Sequence, residues 1–284
     1  MKYLFLLLLL PISLFAQDKP AYKIYRANGK KIKYKKMVKT LEKADIILFG
    51  EIHNNPITHW LQLESTTDLA ASRQLILGAE MFEADNQTPL NDYLKGNIDV
   101  AAFAEQARLW NNYDTDYAPL VNFAKENNLS FVATNVPRRY ARTVFREGLE
   151  ALETLPNNEK AWIAPLPIAY DGSLPGYKAM LDMMGDNPAH GGDNFPKAQA
   201  IKDATMGHFI LDSYEDGKLF IHYNGSYHSD NYEGILWYLR RQRPDLNYVT
   251  ISTVLQADID TLAAEHKNKA DFILCIPETM TTTY

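Results

Sequence analysis

The sequence predicts an α/β fold: a largely parallel central sheet flanked by helices, with a helical insertion at about residues 137–217. Three observations carry this. Six short runs rich in β-branched and aromatic residues, Ile46 to Phe49, Leu75 to Ala79, Phe131 to Ala133, Leu219 to His222, Tyr248 to Ile251 and Phe272 to Ile276, are apolar on both faces. Long stretches of helical periodicity separate them, and strands apolar on both sides that alternate with helices belong to a parallel sheet covered on each face. Between Pro137 and Phe220 the helical pattern continues without a convincing strand, and this block is read as the insertion.

Taken in order, the chain begins with Lys2 as a short positive region, then an apolar stretch from Leu4 to Phe15 broken by Pro11 and Ser13, then the small residue Ala16. This is the pattern of a signal peptide over residues 1–16, cleaved after Ala16. The stretch falls short of the roughly 20 apolar residues that a spanning helix needs. The expectation is an exported protein, periplasmic or secreted, with residues 17–284 as one α/β domain. Cys275 is the single cysteine, so no internal disulfide forms and no cysteine near the cleavage point carries a lipid. Its apolar neighbours make it a core residue.

Residues 22 to 40 alternate around Asn28-Gly29 and read as a small edge hairpin, with the basic cluster Lys30 to Lys39 as a solvated face. A helix is expected to start at Pro56. In the insertion, 176–184 places Tyr177, Met180, Leu181 and Met184 on one face, and a second helix covers 198–214. Between them Gly185 to Gly192, which includes His190, has the composition of a flexible loop.

Composition excludes some function classes. The 284 residues are 46% hydrophobic and 23% charged, as in an ordinary globular protein. Acidic residues (35) outnumber basic ones (29), so there is no positive field to draw in a phosphate backbone, and nucleic acid is not expected as a partner.

The chemistry gathers at strand ends. In an open parallel sheet, ligands bind beyond the carboxyl ends of the strands. The first core strand runs into Gly50-Glu51-Ile52-His53-Asn54-Asn55, and the second into Gly78-Ala79-Glu80-Met81-Phe82-Glu83. The third runs into Ala133-Thr134-Asn135-Val136-Pro137-Arg138, and the fourth into Asn224-Gly225-Ser226-Tyr227-His228. Gly50-x-x-His53 is thus echoed by Gly225-x-x-His228. Glu80 directly follows apolar residues, where a carboxylate is costly unless it meets a cation, a donor or a metal. Glu51, His53, Glu80, Asn135 and His228 are expected on one rim, as divalent-metal ligands or as a general base with its orienting partner. His59 and His222, on a helix and inside a strand, read as structural.

These segments, together with Gln199 to Gly207 and its Asp203-Ala204-Thr205-Met206, resemble the ChaN family over nearly the whole chain from about residue 40. That family comprises exported, iron-regulated haem-binding proteins in a superfamily shared with Tiki proteases and erythromycin esterases. The resemblance implies haem as cofactor, held at the surface of a homodimer with a tyrosine as iron ligand, and outer-membrane haem uptake machinery as a partner. Tyr170, Tyr177, Tyr113, Tyr117 and Tyr227 are the candidates for that tyrosine, and the sequence singles out none of them. Tyr170, Tyr177, Met180, Met184 and His190 offer a soft surface for a porphyrin, and Arg138, Arg139 and Arg142 offer pairing for propionates. The Tiki-like branch implies a different activity, a metal-dependent hydrolase with His53, Glu80 and His228 as metal ligands and Glu51 as base or orienter.

Overall fold

The computed structural model describes residues 19–184 and 192–284, without side chains at 183 and 184. The signal peptide read over residues 1–16, the Met184 side chain and His190 lie outside the described residues. The elements in order are β1 (Lys23–Arg26), β2 (Lys31–Ile32), α1 (Tyr34–Leu41), β3 (Ile46–Glu51), α2 (Pro56–Ala70) and β4 (Leu75–Glu83). Then come α3 (Gln87–Leu94), α4 (Val100–Gln106), α5 (Ala118–Glu126), β5 (Ser130–Asn135), α6 (Arg138–Glu147) and α7 (Asn157–Lys160). The chain continues through α8 (Pro175–Met184), α9 (Asn194–Ser213), β6 (Leu219–Gly225), α10 (Ile235–Gln242), β7 (Tyr248–Gln256) and β8 (Phe272–Pro277).

Among the described residues the strands form one eight-stranded sheet in the order β2-β1-β8-β7-β3-β6-β4-β5. From β8 to β5 every pairing is parallel, and only the β1–β2 hairpin and its pairing with β8 are antiparallel. All six apolar runs are strands of this sheet. Alternation along β3 shows why both faces must be covered. Ile47 and Phe49 enter a core with Leu61 and Leu69 of α2, while Ile46 and Leu48 pack against Met206 and Ile210 of α9 and Leu236 of α10. Residues 138–213 contain helices and no strand among the described residues, and α6 packs through Tyr140 and Val144 on Ile201 of α9.

One stretch differs from its reading. The hairpin ends at Ile32, and 34–41 is helical because Met37, Val38 and Leu41 make a buried stripe while the lysines take the other side.

β6 lies between β3 and β4, although β3 and β4 are consecutive core strands. The connection from β3 to β4 runs through α2 on one face, whereas the return from β5 to β6 ends in α9 on the other. A crevice therefore opens at the carboxyl ends of β3, β6 and β4, as parallel sheets provide where the strand order reverses.

Candidate functional site

At the end of β3 the chain turns in four residues into α2. Asn55 caps the helix, its side chain accepting from the backbone N–H groups of Ile57 and Thr58, both at 3.1 Å, and Pro56 opens it. This short turn hangs His53 over the crevice while Glu51 stays buried beneath. Glu51 accepts from Gln62 Nε2 at 2.7 Å and Tyr117 OH at 3.0 Å, and its Oε1 also accepts from His53 Nδ1 at 2.9 Å. A carboxylate bonded to Nδ1 makes that nitrogen the donor and leaves Nε2 with its lone pair. Nε2 lies against Gly225, where an added Cβ would stand 2.8 Å from it. Trp110 meets the imidazole edge to face, with ring centroids 4.9 Å apart.

Glu80 lies where the β4–β5 register shifts between Ala79 and Glu83. Such a bulge re-aims a side chain. Asn135 Nδ2 pins it by donating to the Glu80 carbonyl at 3.0 Å. The Glu80 carboxylate accepts from the Gly225 N–H at 2.8 Å and lies 3.1 Å from His228 Nε2. On its other side His228 Nδ1 meets Asp203 of α9 at 2.5 Å, and Tyr177 OH donates to the second Asp203 oxygen at 3.2 Å. Gln199, one helical turn before Asp203, sets its amide 2.9 Å from Nδ1.

The electrostatics follow from these contacts. Burial opposes a charge on His228, but Glu80 and Asp203 outweigh it and push its pKa up to about 10. Burial would raise Glu80, yet His228, then His53 and the Gly225 N–H, hold it well below the usual carboxylate range. Asp203 is raised by burial despite its bond to His228. For His53 burial again works against the charge, and the bond to Glu51 with the nearby Glu80 prevails to raise it. His222, fully buried within β6 between Thr134 and Asn224, is pushed down by burial to about 4 and is a neutral strut.

Above these groups lies a cleft of about 790 Å³. Glu51, His53, Glu80, Gly225 and His228 line it, together with Trp110 and Asn135. One wall is apolar, with Val136, Ala141, Phe145, Phe195 and Ala198, and Arg138, Arg142 and Lys202 add three cations. The volume falls within the roughly 300–1,000 Å³ of small-molecule sites.

The structure thus brings together Glu51, His53, Glu80, His228 and Arg138. It does not bring Tyr170, Tyr177 and Met180 to the cleft. They pack with Ala200 behind Asp203, the two tyrosine rings stacked at 5.5 Å. Among the five candidate tyrosines, Tyr113, Tyr117 and Tyr177 are buried and Tyr170 is half-buried away from the cleft, whereas Tyr227 lines it, is 48% exposed and donates its hydroxyl to the Gly176 carbonyl. The nominated metal ligands His53, Glu80 and His228 meet as an ion-pair array, with both His228 nitrogens facing carboxylates. Among the described residues no group of three or more His, Cys, Asp or Glu side chains is arranged to hold a metal ion.

Asp203 and Gln199 had no role assigned from the sequence. Their signal was there: two polar residues four apart on a helix whose neighbours Ala200, Ile201 and Ala204 are core residues. Gln62 of α2 was missed for the same reason, a polar side chain on a buried face.

A family model described as haem-binding uptake, Tiki superfamily, ChaN matches residues 37–239. The fold is similar to that of ChaN of Campylobacter jejuni, in a structure described as showing cofacial haem binding, with a TM-score of 0.67 and 19% identity over 89% of this chain and 96% of that one. It is also similar to an erythromycin esterase mutant in its open conformation, with a TM-score of 0.50 and 10% identity over 90% and 97% of the two chains. Protein RETICULATA-RELATED 5, chloroplastic, of Arabidopsis thaliana is 26% identical over a 200-position alignment that covers 64% of this chain and 26% of that protein's length. With 203 consecutive residues under the family model and the strand-end segments gathered at one cleft, the chain belongs to the ChaN haem-binding family of the Tiki superfamily.

Proposed function

We propose that this protein is exported and binds haem in the cleft for iron acquisition, as a homodimer that exchanges haem with outer-membrane uptake machinery. One observation carries the reading: a single cleft combines an apolar wall, three cations and an exposed phenol, Tyr227. Those residues fit the group. The Phe145 and Phe195 side offers the porphyrin face a dry surface, and Arg138, Arg142 and Lys202 offer propionates charge-assisted hydrogen bonds. Tyr227 supplies a phenol whose anion suits ferric iron once the hydroxyl gives up its 2.8 Å bond to the Gly176 carbonyl. Bound haem would supply the iron for transfer. The chain's own part is to hold it by these three kinds of contact and to shield one face from water.

Titration with haem tests this. The wild type is expected to develop a shifted Soret band while its molecular mass doubles, and Tyr227→Phe to bind more weakly with an altered band. No spectral change at micromolar protein would end the proposal.

The paired histidines favour a second reading, hydrolysis. With Nδ1 committed to Glu51, His53 Nε2 would take a proton from water in the cleft, while His228, both of whose nitrogens are paired with Glu80 and Asp203, would fix the geometry of the site.

A further inference from the structure

The main-chain carbonyl of His53 is held from below. It accepts from Asn112 Nδ2 at 2.9 Å and from His59 Nε2 at 3.0 Å. Asn112 Nδ2 also donates to Asp116 Oδ2 at 2.6 Å, and that buried oxygen takes a further bond from Thr283 Oγ1 at 2.7 Å. Thr283 grips the same loop a second time, its backbone N–H donating to Asn54 O at 3.0 Å. Asp116 stands in a single π-helical turn, Tyr113–Tyr117, and the last residue of that turn sends its hydroxyl to Glu51. π-Helical turns are frequent at functional sites because they re-aim side chains within a helix.

We infer that Thr283 and Asp116 are positioning residues for His53: they lock the loop 52–55 so that Nδ1 stays on Glu51 and Nε2 presents its lone pair to the cleft. The residue 283 segment clasps the loop from outside, and Asp116 relays its hold to the carbonyl at the base of the imidazole. Without the hydroxyl, Asp116 keeps, among the described residues, Asn112 alone as side-chain hydrogen-bond donor, with His59 Nε2 at 3.7 Å, and the loop loses one of its two ties to Thr283. The titratable groups facing the ring itself are Glu51, Glu80 and His228, and none of them is altered by the change.

The tautomer of His53 is the readout, because the hydrogen bond on one imidazole nitrogen fixes which nitrogen carries the proton. In long-range proton–nitrogen NMR spectra above neutral pH, the wild type is expected to show His53 protonated on Nδ1. Thr283→Val is expected to shift the population toward the Nε2–H form, with the His228 signals unmoved, and Thr283→Ser to restore the wild-type pattern. Asp116→Leu, which removes the acceptor, is expected to shift it in the same direction as Thr283→Val. A wild-type tautomer pattern in folded Thr283→Val and Asp116→Leu would overturn the inference, as would a Thr283→Ser protein that behaves like Thr283→Val. The inference concerns the cleft to which haem binding is assigned, but its test uses no haem, so either can fail alone.

Discussion

Two turns of this molecule share one sequence pattern and differ in their physics. Gly50-x-x-His53 begins at the end of β3 and Gly225-x-x-His228 at the end of β6, adjacent parallel strands, with Gly50 beside Asn224 and Glu51 beside Gly225. The His228 side chain is 7% exposed and sits between two buried carboxylates, so it is an imidazolium that belongs to the structure of the site. The His53 side chain is 33% exposed, holds one carboxylate through Nδ1, and turns its second nitrogen to the cleft. The repeated motif places an imidazole. Its surroundings decide whether that imidazole is a fixed charge or a working group.

The largest expected effect is on the buried side of this contrast. His228→Leu leaves Glu80 and Asp203 facing each other without a cation, and breaking a buried pair in this way costs about 3–5 kcal/mol. Urea unfolding at neutral pH measures it, and a loss of less than about 1 kcal/mol would make His228 no more structural than an exposed ion pair. The pH dependence has a definite sign. The folded protein holds the His228 proton up to about pH 10, while the unfolded chain releases it near 6.5. The resulting stabilisation is complete below 6.5 and is lost as pH rises through about 10. His228→Gln should remove that slope.

A smaller effect tests how tightly the two turns meet. Gly225→Ala sets a methyl group 2.8 Å from His53 Nε2. The backbone there has φ −55°, so the penalty is steric alone. An overpacking cost of about 1–3 kcal/mol is expected, with the His53 ring displaced, and a crystal structure with the ring in place would refute the close approach. The smallest effect on stability belongs to His53→Gln. This partly exposed group is expected to change unfolding free energy by less than about 1 kcal/mol. If hydrolysis is the activity, the same variant loses ester turnover, and undiminished turnover would remove that reading.

Much of this architecture is legible in the sequence, because fully buried parallel strands must be apolar on both faces and so announce themselves as short continuous runs. The polar segments that follow them were legible as a rim for the same reason, and Glu51, His53, Glu80 and His228 all line the cleft. Helical periodicity was a weaker guide. It identified Tyr177 and Met180 as an apolar face but carried no information on what that face covers, which is Ala200 of α9 and not the cleft. The lysine-rich stretch after Ile32 hid a helix because its buried stripe is only three residues wide, Met37, Val38 and Leu41.

The sequence alone determined which strands exist, that both faces of the sheet are covered, and which polar residues stand at the strand ends. These depend on local pattern, and local pattern survives in one dimension. Only the tertiary structure decided that β6 lies between β3 and β4, which is what brings Gly225 between His53 and Glu80. It also decided that Asp203, from a helix on the far face, reaches His228. Partners separated by tens or hundreds of residues leave no periodic trace, and the charge of a buried imidazole is set by the field of those partners, not by its own neighbours in the chain.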